Sequence, residues 1–167
     1  MEFGLLILRA VVGLTLAGHG VQKLFGWFGG YGLAGTGGFF EQLGLRPGRL
    51  HAFLAGATEA GAGLLLALGF LTPVAAAGLI AVMIVAAVSV HWKNGFWVTK
   101  QGYEYPFIIA AAAAALAFTG PGRLSVDALL GLDLAGWTWG LAALAAGFVG
   151  GIVPLMTRVQ SPEVSVR

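Results

Sequence analysis

His19, Gln22 and Lys23 sit three and four residues apart at the end of an apolar run that begins near Phe3. On a helix this spacing puts all three on one face. An imidazole, an amide and an ammonium arranged in this way can exchange a proton and donate hydrogen bonds to an anionic or carbonyl-bearing group. Arg9 lies inside the same run and Glu59 inside a second. Ionisable side chains are expensive in hydrocarbon, so they pair with one another or face an internal cavity. Glu59 is therefore expected either to pair with Arg9 or to serve a ligand or a proton. His91 closes a third run, and Tyr103 and Glu104 open a fourth. Arg9, His19, Gln22, Lys23, Glu59, His91, Tyr103 and Glu104 are the candidate ligand or proton-site residues. The catalytic residues are unknown.

The elements that must position these groups are membrane helices. The chain has 167 residues, 58% hydrophobic and 10% charged, whereas a soluble domain carries about 25% charged residues. Apolar runs span roughly 3–25, 50–71, 73–92, 105–119 and 136–156. A crossing helix needs about 20 residues, which four runs supply; the fourth is short and is expected to begin nearer Gly102. Thr72 and Pro73 alone separate the second and third runs, and proline suits the first turn of a new helix, so a tight helical hairpin is expected there. The fold class is an all-α integral membrane protein: a four-helix transmembrane bundle over residues 1–135, an extra helix over 136–157 and a short polar tail over 158–167. Interfacial segments are expected near 36–44, capped by Thr36, and near 125–131, started by Ser125. The Gly136/Gly140 and Gly147/Gly151 pairs suit close packing within the bundle more than dimerisation, although a homo-oligomer stays open.

Five crossings bring the ends of the first and third runs and the starts of the second and fourth to one side of the bilayer. His19, Gln22, Lys23, His51, His91, Lys93, Tyr103 and Glu104 therefore share one mouth, with Glu59 about 12 Å deeper. Lys23, Arg46, Arg49, Lys93, Lys100, Arg158 and Arg167 fall on that side, which the positive-inside rule makes cytoplasmic, with the N-terminus outside and the C-terminus cytoplasmic. Lys23, Lys93 and Lys100 are read chiefly as topology determinants.

Other function classes are excluded or disfavoured. There is no cysteine, hence no disulfide, thiol redox chemistry or thiolate metal site within the chain. A net charge of +2 gives no footprint for nucleic acid. No nucleophilic triad, phosphate loop or metal-ligand cluster stands out, so an autonomous enzyme is the least supported reading. Haem held by His19 and His91 is disfavoured, since two histidines come without further haem signature.

Several motifs carry a family resemblance. The run from His19 through Lys23 to Gly26-Trp27-Phe28-Gly29-Gly30 is followed by Gly35-Thr36, Phe39-Phe40-Glu41 and Leu43-Gly44. Then come Glu59, His91 with Asn94-Gly95-Phe96, Gly102-Tyr103-Glu104-Tyr105-Pro106, and Gly120-Pro121-Gly122-Arg123-Leu124-Ser125-Val126-Asp127. In this order, from about Leu5 to Leu130, they resemble the DoxX family. The resemblance implies a bacterial inner-membrane protein with a four-helix core, and the segment 136–156 departs from it. It also implies an accessory subunit of a redox, oxidative-stress or quinone-linked system, since the family name comes from subunits of a thiosulfate:quinone oxidoreductase. Quinone is the cofactor this suggests, and a membrane or soluble redox partner must then supply electrons. A small-solute permease and a structural assembly subunit are the alternatives.

Overall fold

The computed structural model describes residues 1–159. It consists of helices α1 (Glu2–Phe25), α2 (Gly32–Gln42), α3 (Gly48–Leu68), α4 (Thr72–Ala86), α5 (Glu104–Thr119), α6 (Val126–Leu129) and α7 (Trp137–Met156), joined by short turns. Four spans, Glu2–Phe25, Gly48–Leu68, Thr72–Asn94 and Trp137–Met156, are long and apolar enough to cross a membrane. The third of them is α4 continued through a π-helical turn, Ala87–His91, and a 3-10 turn, Trp92–Asn94. With 16 residues, α5 is about 24 Å long, a few ångströms short of the hydrocarbon thickness. It begins at Glu104 with Tyr103 at its N-cap position, not nearer Gly102, because Gly102 is held in the preceding loop by the Trp97 carbonyl.

Small residues set the spacing of α1 and α3, the most extensive helix pair. A Cβ on Gly13 would lie 2.4 Å from the Gly63 carbonyl oxygen, and one on Gly20 would lie 2.3 Å from the Ala60 nitrogen. With no apolar driving force between helices in lipid, such backbone approach supplies the dispersion contacts that hold the pair together. Leu16, Leu66, Leu79, Met83, Leu116 and Ala143 then fill the centre of the bundle. Phe3, Ile7, Leu64, Phe107, Phe148 and Val153 point outward, which a lipid environment favours.

The α3–α4 hairpin turns through Gly69 at φ 64° and Leu71 at φ 48°. Its two helix ends are closed by charges from elsewhere in the chain. At the C-terminus of α3, Arg9 donates Nη1–H to the Ala67 carbonyl at 2.6 Å and another N–H to the Leu124 carbonyl. At the start of α4, the Asp127 carboxylate accepts from the amides of Leu71 and Thr72 at 2.8 and 3.1 Å and from the Thr72 hydroxyl at 2.8 Å. A cation at a helix C-terminus and an anion at an N-terminus both complement the helix dipole. Asp127 is thus a buried cap of α4 rather than an interfacial residue, and Ser125, whose Oγ accepts from the Ala128 amide, starts α6.

Helix α7 spans the length of the bundle. It begins where the Gly136 amide meets the Phe118 carbonyl, and it ends where Val159 and Arg158 donate to the Gly44 and Leu43 carbonyls. Gly147 and Gly151 lie against Ile80 and Ile84 of α4, and Gly140 against Phe118. The two glycine pairs pack inside the bundle. Of the basic residues on the mouth side, Arg167 lies outside the described residues.

Candidate functional site

Close packing of α1 on α3 brings Lys23 over Glu59. Gly56, one turn before Glu59, has no side chain, and a Cβ there would contact Leu24 and the Cβ of Lys23. The lysine stem can therefore lie along α3, and its Nζ reaches Glu59 Oε2 at 2.5 Å. The Glu59 side chain is 4% exposed and that of Lys23 is 24% exposed. One end of the pair is thus enclosed and the other reaches the surface of a cavity. Glu59 pairs with Lys23 and not with Arg9, which is occupied at the opposite end of the bundle. Lys23 is therefore an internal counter-ion to Glu59. His19 and Tyr105 lie within electrostatic reach of the same carboxylate, and the His19 and Tyr105 rings meet edge-on with centroids 6.4 Å apart.

The cavity beside this pair measures about 650 Å³ and is lined on one side by His19, Gln22 and Lys23 and on the other by Tyr31, Thr36, Phe39 and Phe40. The first wall is the end of α1 and the second is α2. The chain reverses between them through Gly26 at φ 74°, Phe28 at φ 53° and Gly29 at φ 78°. Gln22 Nε2 donates to the Phe28 carbonyl at 3.1 Å, and Gly30 packs so closely on Gln22 that a Cβ would sit 2.4 Å from its carbonyl oxygen. Helix α2 starts at Gly32, with Tyr31 at its N-cap position, so Thr36 is a buried mid-helix residue and not the cap. Phe40, with Leu45 and Ala52, anchors α2 on α3. Phe39, 45% exposed, stays beside the cavity.

The residues from the far helices do different work. His91 Nδ1 donates to the Gln101 carbonyl at 2.7 Å, and Glu104 Oε2 accepts from the Val98 amide at 2.7 Å. Tyr103 stacks on Trp92 with ring centroids 5.1 Å apart and meets Phe96 edge-on. Together they fix the turn from Gly95 to Gly102, where a Cβ on Gly102 would collide with the Gly95 carbonyl oxygen at 2.2 Å. Of the sequence candidates, His19, Gln22, Lys23 and Glu59 come together, while His91, Tyr103 and Glu104 order a neighbouring loop and Arg9 closes the other end. Tyr31, Phe39 and Tyr105 are not among the sequence candidates. Phe39 and Tyr105 fall within the family-like motifs, and an aromatic next to a glycine turn or a helix start is also what an interfacial anchor looks like. Among the described residues no group of three or more His, Asp or Glu side chains is arranged to hold a metal.

Apolar helices enclosing an ion pair, beside a cavity with one polar and one largely apolar wall, define a multi-pass membrane protein. A family model described as DoxX matches residues 4–92, more than half of the chain, and the protein belongs to the DoxX family. The match takes in α1 to α4 and so includes both members of the Lys23–Glu59 pair. The motifs at 102–106 and 120–127 lie beyond it. Neither the curated proteins nor the solved structures contain a match to this chain.

Proposed function

We propose that the cavity between α1 and α2 binds the polar headgroup of a membrane-soluble ligand, and that a quinone is the chemistry it fits. In this reading the protein is an accessory subunit of a redox or oxidative-stress system in the bacterial inner membrane. The cavity end of the bundle faces the cytoplasm, because Arg46, Arg49, Lys93, Lys100 and Arg158 are grouped there.

The observation that carries this reading is the double position of Lys23, which is paired with a buried carboxylate and also lines the cavity with His19 and Gln22. A quinone presents two carbonyl oxygens on a flat ring and takes up protons when it is reduced. His19, Gln22 and Lys23 offer N–H donors to such oxygens, and Tyr31 and Phe39 offer aromatic surface to the ring. Glu59 behind Lys23 provides a protonatable group that water reaches poorly, which suits proton exchange with a bound ligand. When bound, the quinone would supply the two-electron chemistry. The chain itself has no cysteine, so electrons come from a partner protein.

The test is to purify the protein gently from native membranes, extract it for lipid-soluble ligands, and titrate it with a short-chain benzoquinone analogue. The expected result is near-stoichiometric quinone that is lost on His19→Ala while helicity and elution volume are unchanged. Absence of both extracted quinone and saturable binding would overturn the proposal.

A further inference from the structure

A second cavity lies at the other end of the bundle, where nothing in the reading above requires one. It measures about 540 Å³, and its lining includes two arginines, Arg9 and Arg123, and Ser125, whose hydroxyl donates to the Gly122 carbonyl; no acidic residue lines it. Leu6, Leu68 and Leu129 form apolar walls around these polar groups.

Nearby anions are already engaged. Asp127 is 1% exposed and its oxygens are taken by Leu71 and Thr72 at the start of α4. Glu2 accepts from the Arg123 backbone amide, and the Arg123 guanidinium makes no ion pair among the described residues. Arg9 is 2% exposed. Two of its nitrogens donate to carbonyls, while its Nε–H is buried with no partner among the described residues. A buried donor left unmet in a folded protein calls for an explanation, such as strain or an ordered water or ion. Guanidinium groups recognise phosphate through planar, charge-assisted N–H bonds.

We propose that Arg9 and Arg123 form a site for the phosphate of an anionic phospholipid, with its acyl chains along Leu6, Leu68 and Leu129. The apolar share of the lining decides for a lipid over a free anion. Leu124 and Leu129, which also line the cavity, are exposed, at the level of the helix ends where headgroups reside. Bound there, the phosphate tightens the junction at which α1, the α3–α4 hairpin and the 121–129 segment meet.

The experiment uses the full chain in micelles doped equally with phosphatidylglycerol and phosphatidylcholine, with native mass spectrometry counting the lipids retained. Phosphatidylglycerol is expected to be retained in preference by about fivefold, the effect of roughly one basic side chain near an anionic headgroup. Arg123→Gln, at an exposed position, should abolish most of that preference without affecting folding. Arg9→Lys, which keeps the charge but removes the planar donors, should weaken it as well. His19→Ala, at the far cavity, should leave it unchanged, so failure of the quinone reading does not affect this test. Equal retention of the two lipids would overturn the proposal. So would a preference indifferent to both arginine substitutions, or displacement of the lipid by millimolar inorganic phosphate.

Discussion

Lys23 Nζ stands 2.5 Å from Glu59 Oε2, with the carboxylate enclosed between α1 and α3. The pair makes the best-defined polar group in the bundle part of the tightest helix contact. An enclosed pair of this kind adds little stability over an apolar substitute of equal size, but losing one partner strands the other.

That asymmetry sets a double-mutant cycle. Lys23→Met alone should destabilise the protein by about 3 kcal/mol, because it leaves a buried carboxylate unpaired. Lys23→Met combined with Glu59→Leu should recover most of that loss. Thermal unfolding in detergent, followed by circular dichroism for the four variants, measures the coupling. Additive losses would show that the two side chains do not depend on one another.

The α1–α3 contact makes its own prediction. At Gly13 a Cβ would meet the backbone of Gly63 and Ala67 at 2.4 and 2.6 Å, whereas at Gly18 it would meet nothing within 4 Å. Gly13→Ala should therefore cost about 1–3 kcal/mol, as overpacking against backbone does. Gly18→Ala on the same helix should be neutral or slightly stabilising. The two melting temperatures, compared side by side, decide the matter.

Loop order around Gly95–Gly102 provides a third. Glu104→Gln weakens the acceptor for the Val98 amide, and His91→Ala removes the bond to Gln101. Either change should speed tryptic cleavage at Lys93 and Lys100 several-fold, since local opening governs cleavage when the rest stays folded. Ligand binding in the α1–α2 cavity should change less than with His19→Ala. If Glu104→Gln abolishes binding with the loop still resistant, Glu104 belongs to the site rather than to its scaffold.

Much of the architecture was legible because membrane helices announce themselves by length and hydropathy. The five apolar runs correspond to α1, α3, the α4 span, α5 and α7, and the hairpin at Thr72-Pro73 follows from proline chemistry. The grouping of His19, Gln22 and Lys23 came from helical spacing alone. Their partner did not. Whether Glu59 meets Arg9 or Lys23 depends on the register of α1 against α3, and that register is set by which glycines allow backbone contact. Helical phase leaves both choices open, because Arg9 and Lys23 project in similar directions along α1. The role of Asp127 was hidden for a related reason: its partners, Leu71 and Thr72, lie more than fifty residues away, and a cap supplied from such a distance leaves no local pattern. Threonine is a frequent helix cap, but α2 begins a turn earlier, at Gly32, and Thr36 is buried within it.

The bonds from Arg158 to Leu43 and from Val159 to Gly44 turn α7 into a tether. They fasten the last helix to the corner from which α2 hangs, and α2 is one wall of the cavity that holds His19 and Lys23. A displacement of Arg158 or Val159 is therefore passed to that wall. A reporter for the cavity is read more cleanly from Met1 than from the end of α7.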